Sequence, residues 1–247
     1  MVEFGDNLSW TYVMGGLARD YTKSPGGAGA LLAHWLDVAD HAGMPIDPRL
    51  WREAAIASSY PACMAVKAAA EQAGDGGYRY LRFVREGLMC FRRKLDTTEA
   101  LVEEARRAGL DVERFRVDLA SNAIIEAFGN DLEEVRDPPE GAVVASGRIS
   151  FPSVLFVAED GTRHGAWEFR SYDDLRAAAE AAGAVAGGDS PPAVLDALRR
   201  FGTMATAEVA AVCELPGPRA PAKLWRLASE WQVRPVRVVT GELWELA

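Results

Sequence analysis

Cysteine is scarce in this 247-residue sequence. Cys63, Cys90 and Cys213 are spaced 27 and 123 residues apart, and no CxxC pair occurs anywhere. An odd count at such spacings excludes a disulfide framework and a cysteine zinc site. Histidine is as rare. His34, His41 and His164 share no metal-ligand spacing. His34 and His41 fall on roughly one helix face, but two ligands do not make a site, so no metal is expected. Positive charge is also short, with 27 Lys and Arg against 36 Asp and Glu for a net charge of −9. Residues 188–247 hold 7 of each sign. A global nucleic-acid footprint is therefore excluded. Long apolar runs are missing, none approaching the roughly 18 residues that span a bilayer. The start, MVEFGDNLSW, has neither a basic nor an apolar segment of the secretory kind, so a cytoplasmic location and no membrane partner are expected. Phosphate-cradling GxGxxG and GKS/GKT motifs and the GxSxG elbow are absent as well.

Hydrophobic residues make up 49% and charged residues 26%, enough to bury a core. Leu8–Met14 alternates apolar and polar residues and predicts a strand ending at Gly15-Gly16. Ser24-Pro-Gly-Gly27 is a loop signal. Residues 28–137 read as helices. Leu32, Trp35, Leu36 and Ala39 form an apolar stripe. Ser59-Tyr-Pro61 predicts a capped helix start, and Gly74 to Gly77 its end. A longer helix is expected over Tyr78–Lys94. Asp96-Thr-Thr-Glu99 predicts a capping box, and Asp111 and Ser121 two further starts. Val154–Val157 then predicts a buried strand, Glu159-Asp-Gly161 a hairpin turn, His164–Phe169 a second strand, and Ser171–Asp174 a helix cap. Residues 184–190 read as a linker. In 191–247, three helices followed by a hairpin make a winged-helix pattern.

The order strand, helical block, Pro-opened strand, hairpin and helix resembles the DsbA/FrnE-like branch of the thioredoxin superfamily, in which a helical domain is inserted into a thioredoxin core. Trp10-Thr-Tyr-Val-Met-Gly-Gly-Leu17 resembles the second core strand. His34-Trp-Leu36, Gly43-Met-Pro-Ile-Asp47, Ser58–Lys67 and Gly109–Phe115 resemble the inserted domain. Ser150-Phe-Pro-Ser-Val154 resembles the loop holding the family's cis-proline. The resemblance covers about residues 8–183. It implies an α/β fold: an incomplete thioredoxin-like core from 1–27 and 138–183, an inserted helical domain from 28–137, a linker at 184–190, and a small C-terminal winged-helix-like domain from 191–247. It further implies that Ser150, Phe151 and Pro152 bind substrate, the backbone of Phe151 pairing with an extended peptide.

The family's active-site strand and thiol-bearing helix have no counterpart in this sequence. The readings are a start downstream of the natural one, which is favoured, a remnant that binds without redox chemistry, or a strand supplied by a partner chain. The function expected is that of a DsbA-family thiol-disulfide oxidoreductase-like protein without its active-site Cys motif, and so with no catalytic residue in this chain. One alternative is a non-catalytic peptide-binding or regulatory protein with a winged-helix tail. Another is a kappa-class-type isomerase or transferase holding a low-molecular-weight thiol at the same loop; otherwise no cofactor is implied. The partner is then a polypeptide or a small thiol, and a homodimer stays open.

Cys63, after the Tyr-Pro helix start, and Cys90, beside Arg92-Arg-Lys94, are the candidate reactive thiols, with small buried hydrophobes as the competing reading and a bond between them open. Cys213 reads as core. Trp10, Tyr12, Trp35, Trp51 and Tyr60 could line an apolar groove, although core packing accounts for most of them. Arg219, Lys223, Arg226, Arg234 and Arg237 are what a DNA-reading tail would use, but the segment is neutral, so nucleic acid is disfavoured and docking or dimerisation preferred.

Overall fold

The computed structural model describes residues 3–72, 76–145, 147–187 and 190–247. It is mixed α/β, mostly helical with small sheets. Two compact units form, one from residues 1–15 and 126–190, the other from 16–125 and 191–247.

In the first unit the chain starts with a short 3-10 turn at Gly5–Asn7. Leu8–Met14 then forms no strand, a correction to the sequence pattern. A strand needs a ladder partner, and among the described residues none lies alongside. Instead the Met14 amide donates to Asp131 Oδ2 at 2.7 Å. Two small antiparallel pairs follow. β1 (Val144–Ala145) pairs with β2 (Arg148–Ile149), and β3 (Ser153–Val157) with β4 (Arg163–Trp167), Phe156 opposite His164. The predicted second strand ends at Trp167 rather than Phe169, because Glu168 turns into the left-handed region at φ 61°. Helix α8 (Tyr172–Ala181) starts at the predicted cap, which is a capping box with Ser171 and Asp174 bonding reciprocally. Phe4, Phe156 and Ala179 make the core, with Leu8, Val154 and Leu175 packed on it.

The second unit carries α1 (Gly27–Ala42), α2 (Leu50–Glu53), α3 (Tyr60–Ala70), α4 (Gly76–Met89), α5 (Thr98–Arg107) and α6 (Val112–Leu119). Helix α7 (Asn122–Arg136) runs from this unit into the first. Asp111 caps α6 as the sequence predicts, but α5 is capped by Thr97, whose side chain accepts from the Ala100 amide, and not by the expected Asp96–Glu99 box, because Asp96 Oδ2 accepts from the Ala57 amide instead. Ser59 does not cap α3. Its hydroxyl bonds the backbone of Ala18, and Ser58 Oγ accepts from the Tyr60 amide in its place. Helix α4 stops at Met89, short of Lys94, because Arg92 adopts φ 52° and the Arg93 amide folds back onto Gly87 O at 2.8 Å. The stripe on α1 is narrower than expected, with Ala39 buried but Leu36 40% exposed. Trp51 is buried, edge-on to Tyr21 and Trp35. Part of the α3 end at Gly74–Gly77 and of the 184–190 segment lies outside the described residues.

Residues 194–246 run α9 (Val194–Phe201), β5 (Met204–Ala205), α10 (Thr206–Val212), α11 (Arg219–Ser229), β6 (Val233–Val238) and β7 (Gly241–Leu246). The strands pair in the order β5-β7-β6. Trp244 is fully buried against Leu198, Leu224 and Leu227, its indole donating to Thr206 Oγ1 at 2.8 Å. The tip of the β6–β7 hairpin is fastened to the loop after α1. The Ile46 amide donates to Thr240 Oγ1 at 2.7 Å, and the Thr240 amide to Ile46 O at 3.3 Å.

Candidate functional site: the proline loop

The loop after β2 carries Ser150, Phe151 and Pro152, and the Phe151–Pro152 bond is cis, as the resemblance implies. Short-range bonds set its shape. The Ser150 amide donates to Val143 O at 2.8 Å, and Ser153 Oγ donates to Ser150 O at 2.6 Å. Ser150 Oγ donates to Glu168 Oε1 at 3.0 Å, tying the loop to the end of β4.

The Phe151 ring lies on the backbone of Gly15. A Cβ at position 15 would sit 2.0 Å from the ring Cζ, so only glycine allows this approach. The Arg148 guanidinium is 5.5 Å from the ring centroid, in cation–π range, and its Nη1 donates to Gly15 O at 3.4 Å. Phe151 keeps 37% exposure. Among the described residues, neither its amide nor its carbonyl enters a hydrogen bond. The loop therefore offers a fixed aromatic face and an unengaged peptide group just before β3, which suits pairing with an extended chain. Gly15 and Arg148 were not singled out from sequence. The Gly15-Gly16 pair was read only as a strand end, although a glycine there is also the mark of close backbone approach.

The candidate thiols belong to the other compact unit. Cys90 lies half-buried. Burial pushes its thiol up to about 12, and its Sγ donates to Pro45 O at 3.1 Å. The neighbouring arginines serve elsewhere: Arg92 pairs with Asp47 and Glu53, and Arg93 with Glu104. Asp47 is nearly buried, and the Arg49 guanidinium beside it holds its carboxyl below the ordinary range. Cys63 is half-buried in the first turn of α3, and no disulfide joins it to Cys90, so the bond left open between them is not formed. Cys213 is buried, which raises its pKa. His34 and His41 are exposed, and among the described residues no cluster of His, Cys, Asp and Glu could hold a metal ion. No helix of the described residues is long and apolar enough to cross a membrane. Of the aromatic groove candidates, Trp51 is core, Trp35 packs on it, and Trp10 is 40% exposed in the first unit.

The chain is similar to several known proteins. The ClpXP adapter protein SpxH of Halalkalibacterium halodurans is 29% identical over 219 residues, covering 86% of this chain and 68% of that protein. The ClpXP adapter protein SpxH of Shouchella clausii is 29% identical over 191 residues, 75% of this chain and 60% of that protein. The protein of the same name from Bacillus subtilis is 24% identical over 213 residues, covering 85% and 70%. This chain thus spans about two thirds of the length of these relatives. A solved structure of a candidate protein disulfide isomerase from Nitrosomonas europaea superposes with a TM-score of 0.56 at 17% identity, covering 68% of this chain and 78% of that one, which shows a shared thioredoxin-like fold. The family profile described as Thioredoxin matches residues 1–137, more than half of the sequence. The chain belongs to this thioredoxin family.

Proposed function

We propose that this chain is a non-catalytic adapter, which holds an extended polypeptide at the Phe151 loop and delivers it to a ClpXP-type protease. The observation that carries the reading is the loop itself: an exposed Phe151 with an unengaged peptide group, fixed by Gly15 and Arg148, in a sequence without a CxxC pair. A thiol-disulfide exchanger needs a low-pKa thiolate, and burial drives Cys90 the opposite way. The relatives named as ClpXP adapters support binding without redox turnover. This favours the second reading made from sequence over the oxidoreductase one.

In this proposal residues 28–137 are the inserted helical domain and 191–247 a winged-helix-like module that docks protein. Three of the five module cations that a DNA reader would use are matched by carboxylates, Arg226 by Glu230, Arg234 by Glu245 and Arg237 by Glu242. Its wing tip is held by Ile46, where a DNA reader would leave it free. The test pairs two assays on the full chain. Insulin reduction should stay at the no-enzyme rate, and immobilised chain should retain purified ClpXP. Cysteine-dependent insulin turnover, or no retention of ClpXP, would overturn the reading.

A further inference from the structure

The net charge of −9 is not shared between the two compact units. The first, which carries the Phe151 loop, holds 15 acidic and 5 basic residues, and the second 21 and 22. The whole imbalance therefore belongs to the loop's own unit. Three of its arginines are already committed. Arg176 pairs with Glu3 and Glu180, Arg170 Nε donates to Trp167 O at 3.0 Å, and Arg148 lies on the Phe151 ring and bonds Gly15 O.

One acidic side chain of this unit reaches the loop itself. Glu168 is exposed, and its Oε1 accepts from Ser150 Oγ at 3.0 Å, so its carboxylate stands one residue from the unengaged Phe151 peptide group. Among the described residues no cation pairs with it. Its backbone sits in the left-handed region at φ 61°, which glycine takes without strain and a residue with a long side chain does not. Strained positions of this kind gather at ligand sites. The loop thus has an arginine committed to its aromatic ring and, beside Ser150, a carboxylate that no cation neutralises.

An extended chain paired with this loop sends successive side chains to opposite sides. A long basic side chain next to the paired residue can reach Glu168. The field of the unit draws in a basic chain and repels an acidic one. We propose that the polypeptide taken up at the Phe151 loop is a basic extended segment, in which a lysine or arginine beside the paired residue meets the Glu168 carboxylate. This assignment rests on the reading of the Phe151 loop as a polypeptide site.

The test measures, by fluorescence anisotropy, the binding of three labelled decapeptides to the full chain: valine alternating with lysine, with glutamine or with glutamate. The lysine peptide should bind about tenfold tighter than the glutamine peptide at about 50 mM salt, the gap should close by about 500 mM, and the glutamate peptide should bind weakest. Glu168→Gln keeps an acceptor for Ser150 Oγ and should cut the lysine preference about threefold, with the affinity for the glutamine peptide unchanged. Glu159→Gln removes the same charge at the hairpin turn of the same unit and should leave the preference nearly intact. Phe151→Ala should weaken the lysine and glutamine peptides alike. Equal affinity for all three peptides, each lost in Phe151→Ala, would overturn the basic preference and leave the loop standing as a polypeptide site. A lysine preference that survives Glu168→Gln, or that falls as far in Glu159→Gln, would also overturn the proposal. Binding that is indifferent to Phe151→Ala would overturn it together with the reading on which it rests.

Discussion

At position 15 the absence of a side chain fixes the geometry of a residue far along the sequence. Alanine there would put a methyl carbon 2.0 Å from Phe151 Cζ, and the ring would have to leave its seat under Arg148. Gly15→Ala should therefore cost about 1–3 kcal/mol in denaturant unfolding, the usual penalty of overpacking. It should also move the Phe151 ring signals in a methyl- and aromatic-resolved NMR spectrum. An unchanged stability and spectrum would mean that the ring is not seated on Gly15. Proline 152 and its neighbours were legible in the sequence because the loop is a contiguous motif. The partners Gly15 and Arg148 were not, because what makes them matter is a contact across the fold. The two readings of Cys90 stayed open for a related reason. The arginines beside it in sequence point to Asp47, Glu53 and Glu104, and burial decides its proton affinity.

Helix α4 shows the same difference between local and distant signals. Its middle residue Arg82 reaches out of the helical block to the C-terminal segment. Arg82 Nε donates to Glu86 Oε1 at 2.5 Å, and Nη2 to Thr203 O at 2.8 Å and Glu208 Oε2 at 2.7 Å. Glu208 Oε2 in turn accepts from the Ala205 amide at 2.7 Å, closing the first turn of α10. Burial alone would lower the Arg82 pKa, but Glu208 and Glu86 more than offset it and hold the guanidinium firmly charged. Burial raises the Glu86 carboxyl in spite of Arg82. Arg82→Met should cost about 2–3 kcal/mol, less than a fully buried pair, because the three side chains keep 22%, 15% and 25% exposure. Glu86, whose carboxyl burial already raises, would then lose Arg82, and its folded-state pKa would stand further above the unfolded one. Such carboxyls favour the folded state when protonated and oppose it as pH rises through the raised value. Urea unfolding should show a smaller deficit at about pH 5 than at about pH 8. A deficit that grows on acidification would contradict this account of the cluster. Elements with local capping signals, α5, α6 and α8, were readable from sequence. Leu8–Met14 was not, since strand pattern alone does not supply a ladder partner, and neither was the stop of α4, which depends on the left-handed turn at Arg92.

For the molecule as a whole, the thioredoxin-like character was readable because a helical block followed by a Pro-opened strand, hairpin and helix is a distinctive order. The balance between redox and binding readings was not, since the same loop serves both and only the state of the thiols and the company of relatives separates them. The C-terminal segment carries as many acidic as basic residues and is bolted to the helical block at Thr240 and Glu208, which fits a protein-docking part better than a nucleic-acid reader. The most direct test of the adapter account is a quantitative proteomic time course of a cell extract digested by purified ClpXP. It compares no added chain, the native chain, a variant with all three cysteines replaced by serine or alanine, and Phe151→Asp. The account predicts a set of polypeptides whose loss is accelerated equally by the native and cysteine-free chains and not by Phe151→Asp. Acceleration that disappears with the cysteines, or that survives the aspartate at 151, would contradict it.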